Sequence, residues 1–179
     1  MLRRLLALAV LAIQVAVMLD RWLARRRGDE APLALHMLEV IDAPIDETWK
    51  VASDIPRQPE WMHEMKRVEL TTHGPVGAGT RGEATVRIFG IGVSDPVEIT
   101  EFEPPRRFAV RHEGVFAGGG VITLESGADG TTTIVRWAET LIPPVLPELG
   151  ARVQAPVLQA IFQADLHRLK LLVETGSAD

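Results

Sequence analysis

PVLQAIFQADLHRLKLLVE, Pro156 to Glu174, is the stretch that decides the fold. Leu158, Phe162, Leu166, Leu169 and Val173 stand at i, i+4, i+8, i+11 and i+15, a spacing that gathers them on one face of a helix. Arg152, Gln163, His167, Arg168 and Lys170 fall mostly elsewhere. A helix of this length needs a broad apolar surface to lie on. The segments before it read as strands, and a curved antiparallel sheet wrapped around a helix supplies that surface. Such a sheet leaves a cavity between itself and the helix, suited to an apolar ligand.

Working back from the helix, the strand segments are Leu35–Ile41, Val68–Thr72, Thr80–Phe89, Val93–Phe102, Arg107–Glu113, Val115–Glu125 and Thr131–Ile142. Gly90 and Gly92 allow a tight hairpin, Pro104-Pro105 ends a strand, and Ala128-Asp-Gly130 turns another. Asp46 is placed to cap a short helix from Glu47 to about Ser53. Two prolines in Asp54–Trp61 force a turn after it. Pro143, Pro144 and Pro147 precede the terminal helix, and Pro156 should kink or restart it. Strands followed by a helix, with no alternation of the two, exclude a doubly wound parallel sheet. The expected fold is α+β: about seven antiparallel strands curved around a long C-terminal helix, plus an apolar N-terminal helix.

Charge divides the 179-residue chain in two. The net charge is −5, yet residues 1–27 carry six arginines against Asp20 alone, and the remainder holds 13 basic and 23 acidic residues. An acidic body gives no basic face for nucleic acid. With no cysteine, disulfides and thiolate metal sites are excluded. The absence of Asn and the excess of Arg over Lys fit the codon bias of a GC-rich bacterial genome.

Leu5–Leu19 is apolar except for Gln14, and its 15 residues reach about 22 Å as a helix, short of the roughly 30 Å hydrocarbon core. Three readings fit it: a short membrane anchor completed by snorkelling Arg4 and Arg21, a cleaved signal peptide, or a surface-lying or packed helix. No small-x-small cleavage site precedes Asp20. Taken as an anchor, with two arginines before it and four after, it places the rest of the chain on the cytoplasmic side of the cell membrane. The expected organisation is therefore an anchor and linker over 1–32 and a ligand-binding domain over 33–175. Oligomeric state is not legible.

Several motifs occur in a familiar order. They are Ile41-Asp-Ala-Pro-Ile-Asp-Glu-Thr-Trp49, Ser53-Asp-Ile-Pro-Arg-Gln-Pro-Glu-Trp61, Gly74-Pro-Val-Gly-Ala-Gly-Thr80, Glu103-Pro-Pro-Arg-Arg-Phe108, Gly130-Thr-Thr-Thr-Ile-Val-Arg-Trp137 and Asp165-Leu-His-Arg-Leu-Lys170. Over about residues 34–175 the chain resembles the START/Bet v 1-like helix-grip superfamily (SRPBCC), in particular its bacterial polyketide cyclase/dehydrase and lipid-transport branch. The resemblance implies the helix-grip fold. It does not fix a function, because these motifs mark turns and packing. Lipid carriers, hormone receptors, aromatic cyclases, oxygenase subunits and chaperone cofactors all share that superfamily.

The histidines are His36, His63, His73, His112 and His167, and none stands at metal-ligand spacing with another. No metal and no cofactor is expected. His112 alternates with Phe108 and Val110, Glu139 with Val135, Trp137 and Leu141, and Arg87 with Thr85 and Phe89. An inward His, Glu and Arg could polarise a carbonyl and move a proton, so His112, Glu139 and Arg87 are the catalytic candidates. The same residues could equally be satisfied polar groups in half-buried strands. The ligand-contacting candidates are Trp61, Phe89, His112, Phe116, Trp137 and Phe162, with core packing the competing role for the aromatics. Gly118-Gly-Gly120 opens no helix and lacks a following Lys, so it reads as loop or hairpin glycine rather than a phosphate loop.

Three functions remain. One is a carrier of a hydrophobic small molecule, lipid or polyketide-like, which needs an apolar wall with one or two polar anchors. Another is a cyclase or dehydratase using His112, which needs several convergent polar groups. The third is an interaction module with a vestigial cavity.

Overall fold

The computed structural model describes residues 2–28, 33–88 and 90–178. Helix α1 spans Leu2–Arg27. Strands β1 (Leu35–Ile41), β2 (Met65–Leu70), β3 (Arg81–Ile88), β4 (Ile91–Glu103), β5 (Arg107–Glu113), β6 (Ala117–Ser126) and β7 (Thr133–Ile142) follow, with α2 (Ile45–Ala52) and a 3-10 turn (Ile55–Glu60) between β1 and β2. Helix α3, Pro147–Thr175, closes the chain.

The strands form one antiparallel sheet in the order β1-β7-β6-β5-β4-β3-β2. From β2 to β7 each strand pairs with the next, a meander whose longest connection is the loop over 71–80 between β2 and β3. β1 crosses to the far side and pairs with β7. Register shifts at Met65/Arg67 and Ile99/Glu101 are bulges, which add twist and help the sheet wrap. Alternation sets the faces: Leu35, Met37 and Ile41 of β1 and Val135, Trp137 and Glu139 of β7 are buried.

α3 lies across this inner face. Leu158, Phe162, Leu166 and Leu169 are buried, as their spacing requires, and Val173 packs at the core's edge. Trp49 meets Phe102 and Phe108 at ring centroid distances of 5.3 and 5.7 Å, which fixes α2 over one end of the sheet.

Four local expectations change. The terminal helix starts at Pro147 and continues through Pro156. Pro suits the first helical position, where its missing N–H costs nothing, and tertiary contacts hold the added turns. α2 begins one residue after Pro44, and Asp46 sits in its first turn without capping it. The proline-rich turn is wound as a 3-10 helix. Gly118, Gly119 and Gly120 lie inside β6, not in a loop. Cβ atoms there would come within 2.0 Å of Thr140 O, 2.4 Å of Val110 O and 2.1 Å of the Glu139 carboxylate, so close approach demands glycine.

Candidate functional site: an apolar cavity with one buried polar cluster

Between the sheet, α3 and the 3-10 turn lies a cavity of about 120 Å³. Its wall is mainly apolar. Val68, Ala84, Val97 and Ile99 come from β2, β3 and β4, Phe108 and Val110 from β5, Ile122 from β6 and Phe162 from α3. The cavity's polar lining is Gln58, Glu64, Thr80, Asp95, His112, Glu139 and Asp165, and three of these are turned to other partners. Asp95 accepts the N–H groups of Val115 (2.9 Å) and Phe116 (3.4 Å). Thr80 Oγ1 accepts the N–H of Gly77 at 3.0 Å. Asp165 accepts the N–H of His63 and a guanidinium N–H of Arg168, both at 2.9 Å. Burial raises the Asp165 pKa against the opposing pull of those two partners.

One cluster stands apart. Glu139, 4% exposed, faces the cavity from β7 between Leu35 of β1 and Gly120 of β6. Its Oε2 accepts the indole N–H of Trp137 at 2.9 Å. Its Oε1 lies 3.0 Å from Nε2 of His112, which projects from β5. Gly120 makes the room, since a Cβ there would fall 2.1 Å from Oε2 and 3.1 Å from Nε1 of Trp137. Burial pushes the His112 imidazole toward the neutral form. The hydrogen bond and charge of Glu139, with the charge of Asp95 behind it, outweigh burial and raise the pKa. With Nε2–H donated to Glu139, the neutral ring keeps Nδ1 as an acceptor and the protonated ring offers Nδ1–H as a donor. The cluster can thus hold a ligand oxygen or relay one proton.

Trp137 also organises the aromatics. Its ring centroid is 5.0 Å from that of Phe162 and 6.1 Å from that of Trp61. Trp137, Phe116, Phe162, His112 and Glu139 all line the cavity. Trp61 does not. It is 1% exposed and packs behind Trp137, so it backs the wall instead of contacting a ligand, and its indole N–H has no partner among the described residues. Arg87 also departs from expectation. Val86 and Ala84 point to the cavity, so alternation turns Arg87 outward, where it is exposed. The third catalytic candidate is therefore remote from His112 and Glu139. Phe89 lies outside the described residues. Among the described residues no three His, Asp or Glu side chains converge as metal ligands would.

Sequence reasoning passed over the β4 wall and read Gly120 only as a loop or hairpin glycine. The signal for β4 was present: Asp95, Val97 and Ile99 alternate, and all three line the cavity. Nothing in the sequence alone marks Gly120 as the partner of Glu139, because their pairing is a matter of register.

The model for a family described as polyketide cyclase / dehydrase and lipid transport matches residues 36–174. The chain belongs to this family. Solved structures show the same helix-grip architecture as this polyketide cyclase/dehydrase and lipid-transport family member. A protein of Thermus thermophilus superposes with a TM-score of 0.65 at 20% identity, covering 81% of this chain and 99% of that one. A protein of Deinococcus radiodurans gives 0.60 at 22% identity, covering 80% and 99%. The di-domain ARO/CYC BexL of the BE-7585A biosynthetic pathway gives 0.64 at 16% identity, covering 79% of this chain and 46% of its own. At these identities the likeness concerns the fold. No curated protein matches the chain.

Proposed function

We propose that the domain, residues 33–175, binds or transports a hydrophobic small molecule in the cavity under α3, and that residues 1–32 tether it to the cytoplasmic face of the cell membrane. One observation carries the reading: a mainly apolar wall with a single His112–Glu139–Trp137 cluster set into it. That is the make-up of a binding pocket, in which apolar area supplies affinity and a few polar groups fix orientation. The chemistry of the anchor names a ligand class. With Nε2–H held by Glu139, the Nδ1–H of the protonated ring is the donor that His112 can offer, so the ligand should present an acceptor oxygen, as a carbonyl, carboxylate or phenolate does. The 120 Å³ is close to the roughly 150 Å³ that holds a benzene ring, and below the roughly 300–1,000 Å³ of drug-sized sites. It accommodates one ring or a short acyl segment, with any longer tail directed through the mouth.

The tether is supported by α1, whose Arg4–Arg27 portion is long and apolar enough to cross a bilayer, and by the arginines that follow its apolar stretch.

The His112–Glu139 contact at 3.0 Å also favours a second reading, a cyclase or dehydratase in which His112 moves a proton. One mutant set separates the two. For a carrier, Ala84→Phe fills the cavity and abolishes binding of a fluorescent lipid, while His112→Ala changes affinity by about 1–3 kcal/mol at most. For an enzyme, His112→Ala lowers turnover of polyketide substrates about 10²–10⁴-fold with binding nearly intact. Wild-type turnover that vanishes in His112→Ala while lipid binding persists would overturn the carrier reading.

A further inference from the structure

α1 does not hang free of the domain. Ala16, Val17, Asp20, Leu23, Ala24 and Arg27 are its half-buried or buried residues, on one face packed against α3. The Asp20 carboxylate accepts the backbone N–H groups of Glu148 (3.0 Å) and Leu149 (2.8 Å). It closes the start of α3, where the residue before the helix, Leu146, provides no side-chain cap. Arg27 Nε donates to Glu148 Oε1 at 2.7 Å.

This docking sets a depth. The apolar stretch of α1 ends at Leu19, yet contact with the domain begins at Ala16. From Arg4 to the first contact at Ala16 there are 12 residues, or about 18 Å of helix, against a hydrocarbon core of roughly 30 Å. If lipid is to cover the apolar stretch, the part of the domain beside Ala16 and Val17 must reach the bilayer surface. Trp22 lies just past the stretch with the Arg26 guanidinium 4.3 Å over its ring, a pair suited to the headgroup layer.

What the domain exposes nearby is apolar apart from Arg152. Val145, in the loop before α3, is 73% exposed, and Val153, one turn beyond Leu149, is 72% exposed. Val157, Ala160 and Ala164 continue the exposed stripe at helical spacing from Val153. Scattered surface valines are ordinary, but a stripe running from the foot of an apolar helix is not. Half-buried residues of the cavity's lining stand at this same end of the sheet. His112 pairs with Gly118, and Gly118 with Leu141, so the half-buried lining residues His112, Phe116 and Leu141 sit where β7 leaves for Val145.

We propose that Val145, Val153 and Val157 form a bilayer-contact surface, which holds this end of the cavity against lipid so that the ligand enters from the membrane. The inference rests on the reading of α1 as an anchor. The chain has no cysteine, so single cysteines can be labelled cleanly. The full chain is reconstituted in vesicles of phosphatidylcholine and phosphatidylglycerol, carrying an environment-sensitive dye at Leu11→Cys, Val153→Cys or Asp129→Cys. Asp129 lies in the β6–β7 turn, at the opposite end of the sheet. Vesicle binding should shift the emission to the blue at Leu11 and Val153, spin-labelled lipid should remove most of its intensity there, and Asp129 should stay unchanged. Quenching at Leu11 alone would overturn the contact surface while keeping the anchor. Quenching at none of the three would overturn both, and quenching at all three would overturn the oriented contact.

Discussion

Two stripes run along α3, one residue apart. Leu158, Phe162, Leu166, Leu169 and Val173 face the core. Gln159, Gln163, His167, Lys170 and Glu174 repeat the same spacing along the free edge of β1. The Gln159 amide accepts from His36 N at 3.2 Å and donates to His36 O at 2.5 Å, and Gln163 does the same for Leu38 at 3.3 and 3.0 Å. His167 meets the Glu39 carboxylate at 3.3 Å, Lys170 donates to Val40 O at 2.5 Å, and Glu174 accepts from Asp42 N at 2.6 Å. The apolar stripe drives association, and the polar stripe satisfies an edge strand that would otherwise offer its backbone to another chain. The contrast separates two kinds of work by one helix: burial, which is large and non-directional, and hydrogen bonding at an edge, which is small and specific.

Truncating the apolar stripe should give the largest effects. Phe162→Ala should cost about 3–5 kcal/mol and Leu166→Ala about 2–5 kcal/mol in urea unfolding. A near-neutral Phe162→Ala would show that its contact with the cavity, and not with the core, dominates.

The buried cluster comes next. Glu139→Gln removes the charge facing His112, and Glu139→Ala also leaves the Trp137 and His112 donors without their partner, at about 1–3 kcal/mol. The pH dependence has a definite sign. The folded-state pKa of His112 is raised above 6.5, so its stabilisation is complete below that ordinary value and is lost as pH rises through the raised one. The stability gap between wild type and Glu139→Gln should therefore be widest on the acid side and narrow toward alkaline pH. A gap that widens with pH would refute the pairing.

The polar stripe follows. Gln159→Ala or Gln163→Ala should each cost about 0.5–1.5 kcal/mol, with faster amide hydrogen exchange at His36 or Leu38. Unchanged exchange at both would break the contrast between the stripes. Smallest of all is His167→Ala, under about 0.5 kcal/mol, because the Glu39 contact is solvent-exposed and screened.

The helix-grip layout was legible because it rests on short-range signals. Alternation marked the seven strands, glycine and proline marked the turns between them, and a period near 3.6 marked α3. Alternation placed His112 on one face with Phe108 and Val110, and Glu139 with Val135 and Trp137, and the fold turned those faces to the cavity. Arg87 was legible only as a position on a strand. The choice of which alternating set faces inward depended on Ala84 and Val86 meeting the cavity, which no local pattern states. The aromatic character of Trp61 carried no information on whether it lines a wall or backs one.

The sequence by itself determined the element types, the apolar face of α3, the acidic body and the basic, apolar N-terminus. These depend on each residue and its neighbours within a turn or two. Only the tertiary structure decided which partners meet across the sheet: Glu139 with His112 over Gly120, Gln159 and Gln163 with β1, Asp20 with the start of α3. Those contacts join residues 27 to 129 positions apart. They depend on strand register and helix docking, where a one-residue slip turns every side chain to the other face.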